Sequence, residues 1–322
     1  MKIWILLITL LLSLDAQNIG ESIYSNIILK NINETNNNAR ELTNLIKKGS
    51  STQELKSTFT QLITSWKKVQ TFYLAGDLDE DYIDIPRYID IFHNGKENIE
   101  EQLDRVLLSS DSLDIELFKN STKSINALEY LIYKPSKNAK RQQEMIIYIL
   151  KHISAKLQEI ETFYKTNKQL FLKDPQNINA IVMNALIESS YKLKEWRVGD
   201  AAGLSRKYKN KPNKARAEYP ISHLSFKAIK AILLAHQAMI GKQKFINFSE
   251  IIHQAGADKE LQSARNNIKN ALIYLDSAPS NDFKSKEIKK VYKELSALHN
   301  AYFISLIGAL KITSKIIDSD GD

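Results

Sequence analysis

The sequence predicts an all-α protein, because three long segments carry apolar side chains at helical spacing and no convincing alternating strand pattern follows residue 16. Ten glycines and six prolines in 322 residues are few, which disfavours a turn-rich β architecture. The apolar fraction of 43% and the charged fraction of 25% are typical of a globular chain. We therefore expect two halves, each like a four-helix bundle, that pack face to face with a cleft between them.

The three long segments each carry one apolar stripe. Ser51 and Glu54 form a capping box just ahead of the first helix, and the second is expected to begin after Pro135 and fade near Leu172. The stripe positions recur every three or four residues, as a core-facing helix requires. They are Phe59, Leu62, Trp66, Val69 and Tyr73; Met145, Ile149, Ile153, Leu157 and Ile160; and Ile288, Tyr292, Leu295, Leu298, Tyr302 and Leu306.

The best boundary between the two halves is "KDPQN" at residues 173–177, because its Asp-Pro step ends one helix and a new apolar run follows. This predicts an N-terminal bundle at residues 17–174 and a C-terminal bundle at residues 175–322. Two irregular stretches, residues 75–95 and 196–222, are expected to interrupt the helices. Loops of that length in compact domains are usually functional or disordered. The first is rich in Tyr, Ile and Phe, so we expect it to be packed.

Residues 1–16 predict a secretory signal peptide, since one lysine precedes an apolar run of about a dozen residues that ends near Ala16. A retained N-terminal anchor is the alternative. No later stretch approaches the roughly 20 apolar residues of a transmembrane helix, so we expect no span in the mature chain. The chain has no cysteine, which excludes disulfides and lipid-modified cysteine. We expect an exported protein of the bacterial envelope, in the periplasm or at the outer membrane.

The formal net charge is +8, and "RKYKNKPNKAR" at residues 206–216 contributes six cations without an acid. This stretch is either a solvated loop or a surface that attracts an acidic polymer or membrane phosphates. Nucleic acid is a poor candidate partner, because the protein is expected to leave the cytoplasm and no groove-reading or stacking motif accompanies the charges.

Motifs of established enzyme classes are absent from the sequence. It has no H-E-x-x-H zinc signature, no glycine-rich phosphate loop and no G-x-S-x-G elbow. Without cysteine, a metal site would have to gather histidines and carboxylates from distant helices. Of the six histidines, His93 and His223 are the better candidates, since they lie in or beside the irregular stretches.

One acid interrupts a stretch that otherwise resembles core, "STKSINALEYLIY" at residues 121–133. An unpaired buried carboxylate is costly, and on a helix Asn126 and Glu129 project from nearly the same face. Glu129 therefore either lies on a solvated strip, or pairs with a cation from the other half, or forms part of a ligand or metal pocket with Asn126. A shielded carboxylate there should have a raised pKa unless a cation meets it.

The segment "SINALEYLIY" resembles the signature helix of the imelysin family, in which a G-x-H-x-x-E pattern heads the motif. In this resemblance Ser124 takes the glycine position, Asn126 the histidine position and Glu129 the glutamate position. "WKKVQTFYLAGDLDEDYIDIPRYIDIF" resembles the family's tryptophan helix and the loop after it, and "FSEIIHQAGADKELQSARNNIKNALIYL" resembles its later helices. The stretch "ARAEYPISHLSFKAIKAILLAHQAMIGK" resembles its E-x-x-x-S-x-x-S run. The likeness covers residues 20–318.

The resemblance implies two facing four-helix bundles with a site in the cleft near the glutamate helix. It also implies a role in bacterial iron acquisition or envelope binding, with a peptidase activity assigned to some members. The site residues expected to bind a ligand are Glu129, Asn126, Ser124, Trp66, Arg87, Glu218 and Ser222. For a metal, the expected ligands are Glu129 and His223. Asn126 is a poorer transition-metal ligand than an imidazole, which weakens the peptidase interpretation.

Three hypotheses follow. The favoured one is an exported protein that holds an iron-related ligand or an anionic glycan between its halves, with an envelope protein as a further partner. The second is a metallopeptidase in which a bound metal activates water and Glu129 acts as ligand or general base. The third is an interaction protein without a small ligand. The cofactor is undetermined, with iron or another divalent metal as the candidate.

Overall fold

The computed structural model describes residues 18–94 and 97–313, and those ranges contain helices but no strand. The prediction of an all-α protein is confirmed, while the predicted signal peptide at residues 1–16 lies outside the described residues. None of the helices in the described ranges is long and apolar enough to cross a membrane. The helices up to residue 173 are α1 (18–23), α2 (Lys30–Lys48), α3 (Thr52–Thr71), α4 (Ala75–Leu78), α5 (Ile85–Ile89), α6 (Ile99–Leu108), α7 (Leu113–Glu116), α8 (Ile125–Tyr133), α9 (Ala139–Thr166) and α10 (Lys168–Lys173).

The later helices are continued in two places by π-helical turns. They are α11 (Pro175–Lys192), α12 (Asp200–Ala202), α13 (Ser225–Ile240), α14 (Ser249–Gln254), α15 (Asp258–Ser277), α16 (Lys286–Asn300) and α17 (Ile307–Leu310). The π-helical segments are Tyr24–Leu29, Leu193–Gly199 and Ala301–Leu306, and short 3-10 turns occupy Glu80–Tyr82, Ser121–Lys123 and Lys214–Arg216.

Local capping signals determine where two long helices begin. Ser51 Oγ accepts a hydrogen bond from Glu54 N at 3.3 Å, and Glu54 Oε2 accepts one from Ser51 N at 3.0 Å. This is the predicted capping box at the start of α3. At the start of α11, Asp174 Oδ1 accepts from Asn177 N at 3.1 Å and proline occupies the first helical position. The capping side chains accept from backbone N–H groups that a helix start would otherwise leave free, and proline at the first position has no N–H that needs a partner.

The apolar stripes predicted from the sequence line one continuous core. Helix α2 packs against α3 and α9, and α15 packs against α16. Helix α13 contacts both α3 and α15, so it joins helices from the two sides of residue 174. The division into two bundles at that residue stays a prediction.

Both predicted irregular stretches are more helical than expected. Residues 75–89 form α4, a 3-10 turn and α5, and helical structure continues past Trp196 to Ala202. Gly199 is the last residue of the π-helical segment, and a Cβ there would come within 2.9 Å of Lys194 O and 3.0 Å of Tyr292. The glycine therefore permits close packing rather than ending the helix. Helix α9 ends at Thr166, earlier than predicted, and α10 continues the chain to Lys173.

A fully buried lysine connects four parts of the chain. Lys67 Nζ donates to Asp90 Oδ2, to Glu218 Oε1 at 2.5 Å and to Gln70 Oε1 at 2.9 Å. Arg197 Nε donates to Glu218 Oε2 at 2.9 Å, and its Nη2 donates to Gln70 Oε1 at 3.2 Å. Two cations therefore balance two acids. The network links α3, the loop after α5, the π-helical segment after α11 and the segment before α13.

Asp90 is the most heavily bonded acid of this network. Its Oδ2 also accepts from Trp66 Nε1 at 3.1 Å and from Tyr219 OH at 3.0 Å, while Oδ1 accepts from Phe92 N at 3.0 Å. Burial by itself would raise the pKa of Asp90, but the Lys67 ammonium and the donors outweigh it and hold that pKa below its usual value. Burial and the adjacent Asp90 raise the pKa of Tyr219, which therefore stays protonated and donates.

We expect the substitution Lys67→Met to lower the free energy of unfolding by about 3–5 kcal/mol, because it leaves buried acids without their shared cation. The neighbouring Lys68 provides a matched control: its Nζ lies 3.2 Å from Glu34 Oε1 in a partly exposed pair. Lys68→Met should cost less than about 1 kcal/mol. Urea unfolding followed by circular dichroism measures both, and equal small losses would contradict the stabilising role of the network.

Two glycines with similar backbone angles should differ in their tolerance of alanine. Gly203 has φ +69° and a Cβ there would lie 2.5 Å from Pro212 N, whereas Gly49 has φ +67° and nothing within 4 Å. Gly49→Ala should cost only the left-handed backbone penalty, about 1 kcal/mol. Gly203→Ala should cost at least about 2 kcal/mol, because the loop must also move. Thermal unfolding compares the two variants, and equal losses would show that the close approach at Pro212 is unimportant.

Candidate functional site

Helix α8 is short and almost entirely buried, which explains how an acid on it comes to lie in the core. Ser124 caps its start: Ser124 Oγ accepts from Ala127 N at 3.3 Å and donates to Ser121 O at 2.8 Å. Ser124 therefore sets the start of the helix. One turn later the helix directs Glu129 toward the segment that precedes α13.

Glu129 is 2% exposed and is held by a serine. Its Oε1 accepts from Ser222 N at 2.7 Å and from Ser222 Oγ at 2.6 Å. Within the described ranges, no ion pair joins Glu129 to a lysine, arginine or histidine. Burial raises the pKa of Glu129 to about 7, although hydrogen bonds from Ser222 and the Ile221 backbone act in the opposite direction. The charge of Glu218 raises that pKa further.

Asn126 joins the same helix to the loop that carries Asp90. Its Oδ1 accepts a hydrogen bond from Ile91 N at 3.1 Å, and the side chain is half-buried. Asn126 and Glu129 therefore each bind a different neighbouring segment, one on the N-terminal side and one on the C-terminal side of residue 174.

The other predicted ligand-binding residues fall into two groups. Trp66 and Glu218 belong to the buried network around Lys67, where Trp66 binds Asp90 and Glu218 binds both cations. Arg87 instead lies at the surface, with its side chain 60% exposed and its Nη1 donating to Asp84 Oδ1 at 3.0 Å. The structure thus brings together α8, which carries Asn126 and Glu129, and the segment before α13, which carries Glu218 and Ser222. Arg87 instead forms a local pair at the surface.

The metal ligands proposed from the sequence have other contacts. His223 is exposed, and its Nδ1 lies 2.6 Å from Asn281 Nδ2. Glu129 Oε1 already takes two hydrogen bonds, and Asn126 Oδ1 takes one. No group of three or more His, Asp or Glu side chains is placed to hold a metal ion in residues 18–94 and 97–313. A transition metal needs about three or four protein ligands, so the residues present do not fit a bare metal ion.

A histidine–aspartate pair lies beside the network. His93 Nε2 is 3.0 Å from Asp200 Oδ2, and the imidazole stacks on Trp196 with ring centroids 4.5 Å apart and planes 5° apart. His93 adopts the left-handed backbone region, with φ 64°. The contact joins the loop after Asp90 to the start of α12. Sequence reasoning selected His93 from its place in an irregular stretch but missed Asp200.

Sequence reasoning also missed Lys67, Asp90 and Arg197, although the sequence pattern around Lys67 and Asp90 indicates that both are buried. Lys67 follows the buried Ile63 by four residues, which places it on a core-facing side of α3. Asp90 lies between Ile89 and Ile91, so it is an acid in an apolar run, like Glu129. Their pairing, however, depends on residues far away in the chain.

Comparisons with known proteins agree with this architecture. The sequence matches the imelysin family over residues 24–302. An imelysin-like protein from Psychrobacter arcticum 273-4 has a similar crystal structure, with a TM-score of 0.78 and 15% identity over 94% of this chain and 98% of that chain.

The crystal structure of a protein named as an iron-regulated protein A precursor, from Parabacteroides distasonis ATCC 8503, is also similar. Its TM-score is 0.66 at 12% identity, over 92% of this chain and 94% of that chain. A comparison with curated proteins finds no match. At these identities the two structures show a shared fold, and the family match spans most of the sequence. The chain belongs to the imelysin family.

Proposed function

We propose that the protein is an exported binding protein of the bacterial cell envelope, linked to iron acquisition, which holds a ligand beside Glu129 and Asn126 between its two halves. Export is supported by the apolar N-terminal run of the sequence and by the precursor name of the Parabacteroides distasonis relative. The link to iron is supported by the same relative, which is named as iron-regulated.

The observation that carries the binding proposal is the imbalance of charge at Glu129. Asp90 and Glu218 are buried acids that bind Lys67, and Glu218 also binds Arg197. Glu129 is equally buried but receives only neutral donors. With a pKa of about 7, it is half-protonated at neutral pH. A ligand with a cationic or hydrogen-bond-donating group would supply the missing partner through a charge-assisted hydrogen bond.

The few free metal ligands and the negative charge of ionised Glu129 indicate which ligands suit the site. A bare transition metal finds too few free ligands here, so an iron-related ligand would have to bring most of its own coordination. An anionic glycan would meet the negative charge of Glu129 whenever that carboxyl is ionised, and the nearby Glu218 adds to the repulsion. We therefore favour an iron complex that presents a positive or donating group.

The metallopeptidase alternative has no comparable support among the described residues. Its catalytic metal would need about three protein ligands around an open position, and no such group of His, Asp and Glu side chains is found there.

Binding should depend on the charge of Glu129. Calorimetric titration with ferrioxamine B, a ferric complex with a pendant ammonium group, should detect binding that weakens at least tenfold in Glu129→Gln. Free ferrous and zinc ions serve as metal-only arms and should not bind, because the residues present do not fit a bare metal ion. Affinity should also fall about tenfold between pH 8 and pH 6, because the carboxyl takes up its proton over that range. Glu161→Gln is the control, since Glu161 is a similarly buried acid that pairs with Lys165.

Two results would contradict this proposal. Binding that survives Glu129→Gln unchanged would place the ligand elsewhere on the protein. A failure of ferrioxamine B to bind at millimolar concentration would remove the support for an iron complex with a positive group as the ligand.

The free energy of unfolding should depend on pH in the way that the raised pKa of Glu129 requires. As pH rises, the unfolded chain loses this proton near the ordinary value of 4.5, whereas the folded protein keeps it up to about 7. The contribution of this group to stability is therefore complete below about pH 4.5 and is lost as pH rises to 7, by about 3 kcal/mol in all. Glu129→Gln should lack that loss. Urea unfolding from pH 4.5 to 8 tests it, and parallel curves for the two proteins would contradict the raised pKa.

A further inference from the structure

We propose that the chain carries a second ligand site, a groove that binds a small organic anion. The groove lies between residues 201–214 and residues 281–284 and has a volume of about 420 Å³. Lys214 and Lys284 line it and would hold the carboxylate or phosphate group of the ligand. It shares none of the residues assigned to the Glu129 site, so this proposal stands apart from the proposed function.

The first wall of the groove is the basic stretch at residues 206–216, which is folded back onto α12. Asn213 N donates to Ala201 O at 2.9 Å, and Asn210 N donates to Gly203 O at 2.8 Å. The Arg216 guanidinium lies 3.9 Å from the ring centroid of Tyr208, and its Nη1 donates to a backbone oxygen of the same stretch at 2.6 Å. These contacts give Lys214 a defined position beside the groove.

The second wall is the turn that leads into α16. Phe283 is buried and packs edge-on against Phe226, with ring centroids 5.0 Å apart. Asn281 has φ 57°, and its Nδ2 lies 2.6 Å from His223 Nδ1. Within the described residues, Asn281 Oδ1 is buried without a hydrogen-bond partner. Buried polar atoms are rarely left in that state, so this wall of the groove lacks a hydrogen-bond donor.

The charges around the groove favour an anion. Lys214 and Lys284 are both exposed, and neither forms an ion pair in the part of the chain that the structure describes. Asp282 is the one acid among the lining residues, and its Oδ1 accepts from Lys284 N at 3.0 Å. The other five cations of residues 206–216 add to the positive potential, which concentrates anions at a concave surface.

The floor and size of the groove indicate an organic ligand rather than a bare ion. The exposed Pro212 supplies apolar contact surface beside the buried Ala201 and Phe283, which also line the groove. The volume lies within the range of small-molecule sites, about 300–1,000 Å³. A carbon framework that bears one carboxylate or phosphate, such as a sugar acid or sugar phosphate, matches both features. A flat membrane surface matches a walled groove less well.

Calorimetric titration of the purified protein tests the proposal with four probes: glucuronate, glucose 6-phosphate, glucose and inorganic phosphate. At least one charged sugar should bind, glucose should not, and inorganic phosphate should bind more weakly because it does not contact the floor. Lys214→Ala and Lys284→Ala should each lower affinity about tenfold. Lys209→Ala is the matched control, because Lys209 is an exposed cation of the same stretch that does not line the groove.

Three results would overturn the proposal. If neither charged sugar binds, the groove has no such ligand. If Lys209→Ala weakens binding as much as Lys214→Ala, the attraction is general and no site exists. If vesicles of anionic lipid bind while the sugars do not, the basic stretch is a membrane-contacting surface. Binding of the charged sugars should be unchanged in Glu129→Gln, so the outcome is independent of the Glu129 site.

Discussion

A lysine ammonium lies in the core of this protein because four parts of the chain meet around it. Removing such a charge from water is expensive, and the cost is offset only when acids and further hydrogen bonds surround it. Asp90 and Glu218 supply the acids and Gln70 supplies a carbonyl. Each partner would be destabilising alone, so the network favours the one arrangement that assembles all of them.

The charge balance of the network also explains why the nearby Glu129 has no cationic partner within it. Lys67 and Arg197 are already matched by Asp90 and Glu218, so no cation from this cluster is left for Glu129. The unmatched carboxyl takes its hydrogen bonds from Ser222, four residues after Glu218. One segment of the chain thus completes the balanced network and surrounds the unbalanced acid. This is the physical basis for the raised pKa of Glu129.

Asn126 orients helix α8, whereas a histidine at that position could also bind a metal. Its amide oxygen binds the backbone N–H of Ile91, directly after Asp90, and so fixes α8 against the network. An amide is a weak ligand for transition metals. Glu129 is therefore the acid of this region that no cation pairs with among the described residues, whereas two lysines line the groove near Lys214. The two proposed sites differ in charge in the same way.

The sequence by itself determined the helical class, the helix starts at Ser51 and Asp174, and the family. Those features depend on interactions within a few residues, such as capping and the spacing of apolar side chains, which the order of residues states directly. It also identified Glu129 as an acid in an apolar run. Tertiary structure alone decided that Lys67 meets Glu218, 151 residues away, and that Ser222 meets Glu129. It likewise paired His223 with Asn281. Such contacts depend on how whole helices pack, and no local pattern of residues encodes which distant side chains will share a buried space.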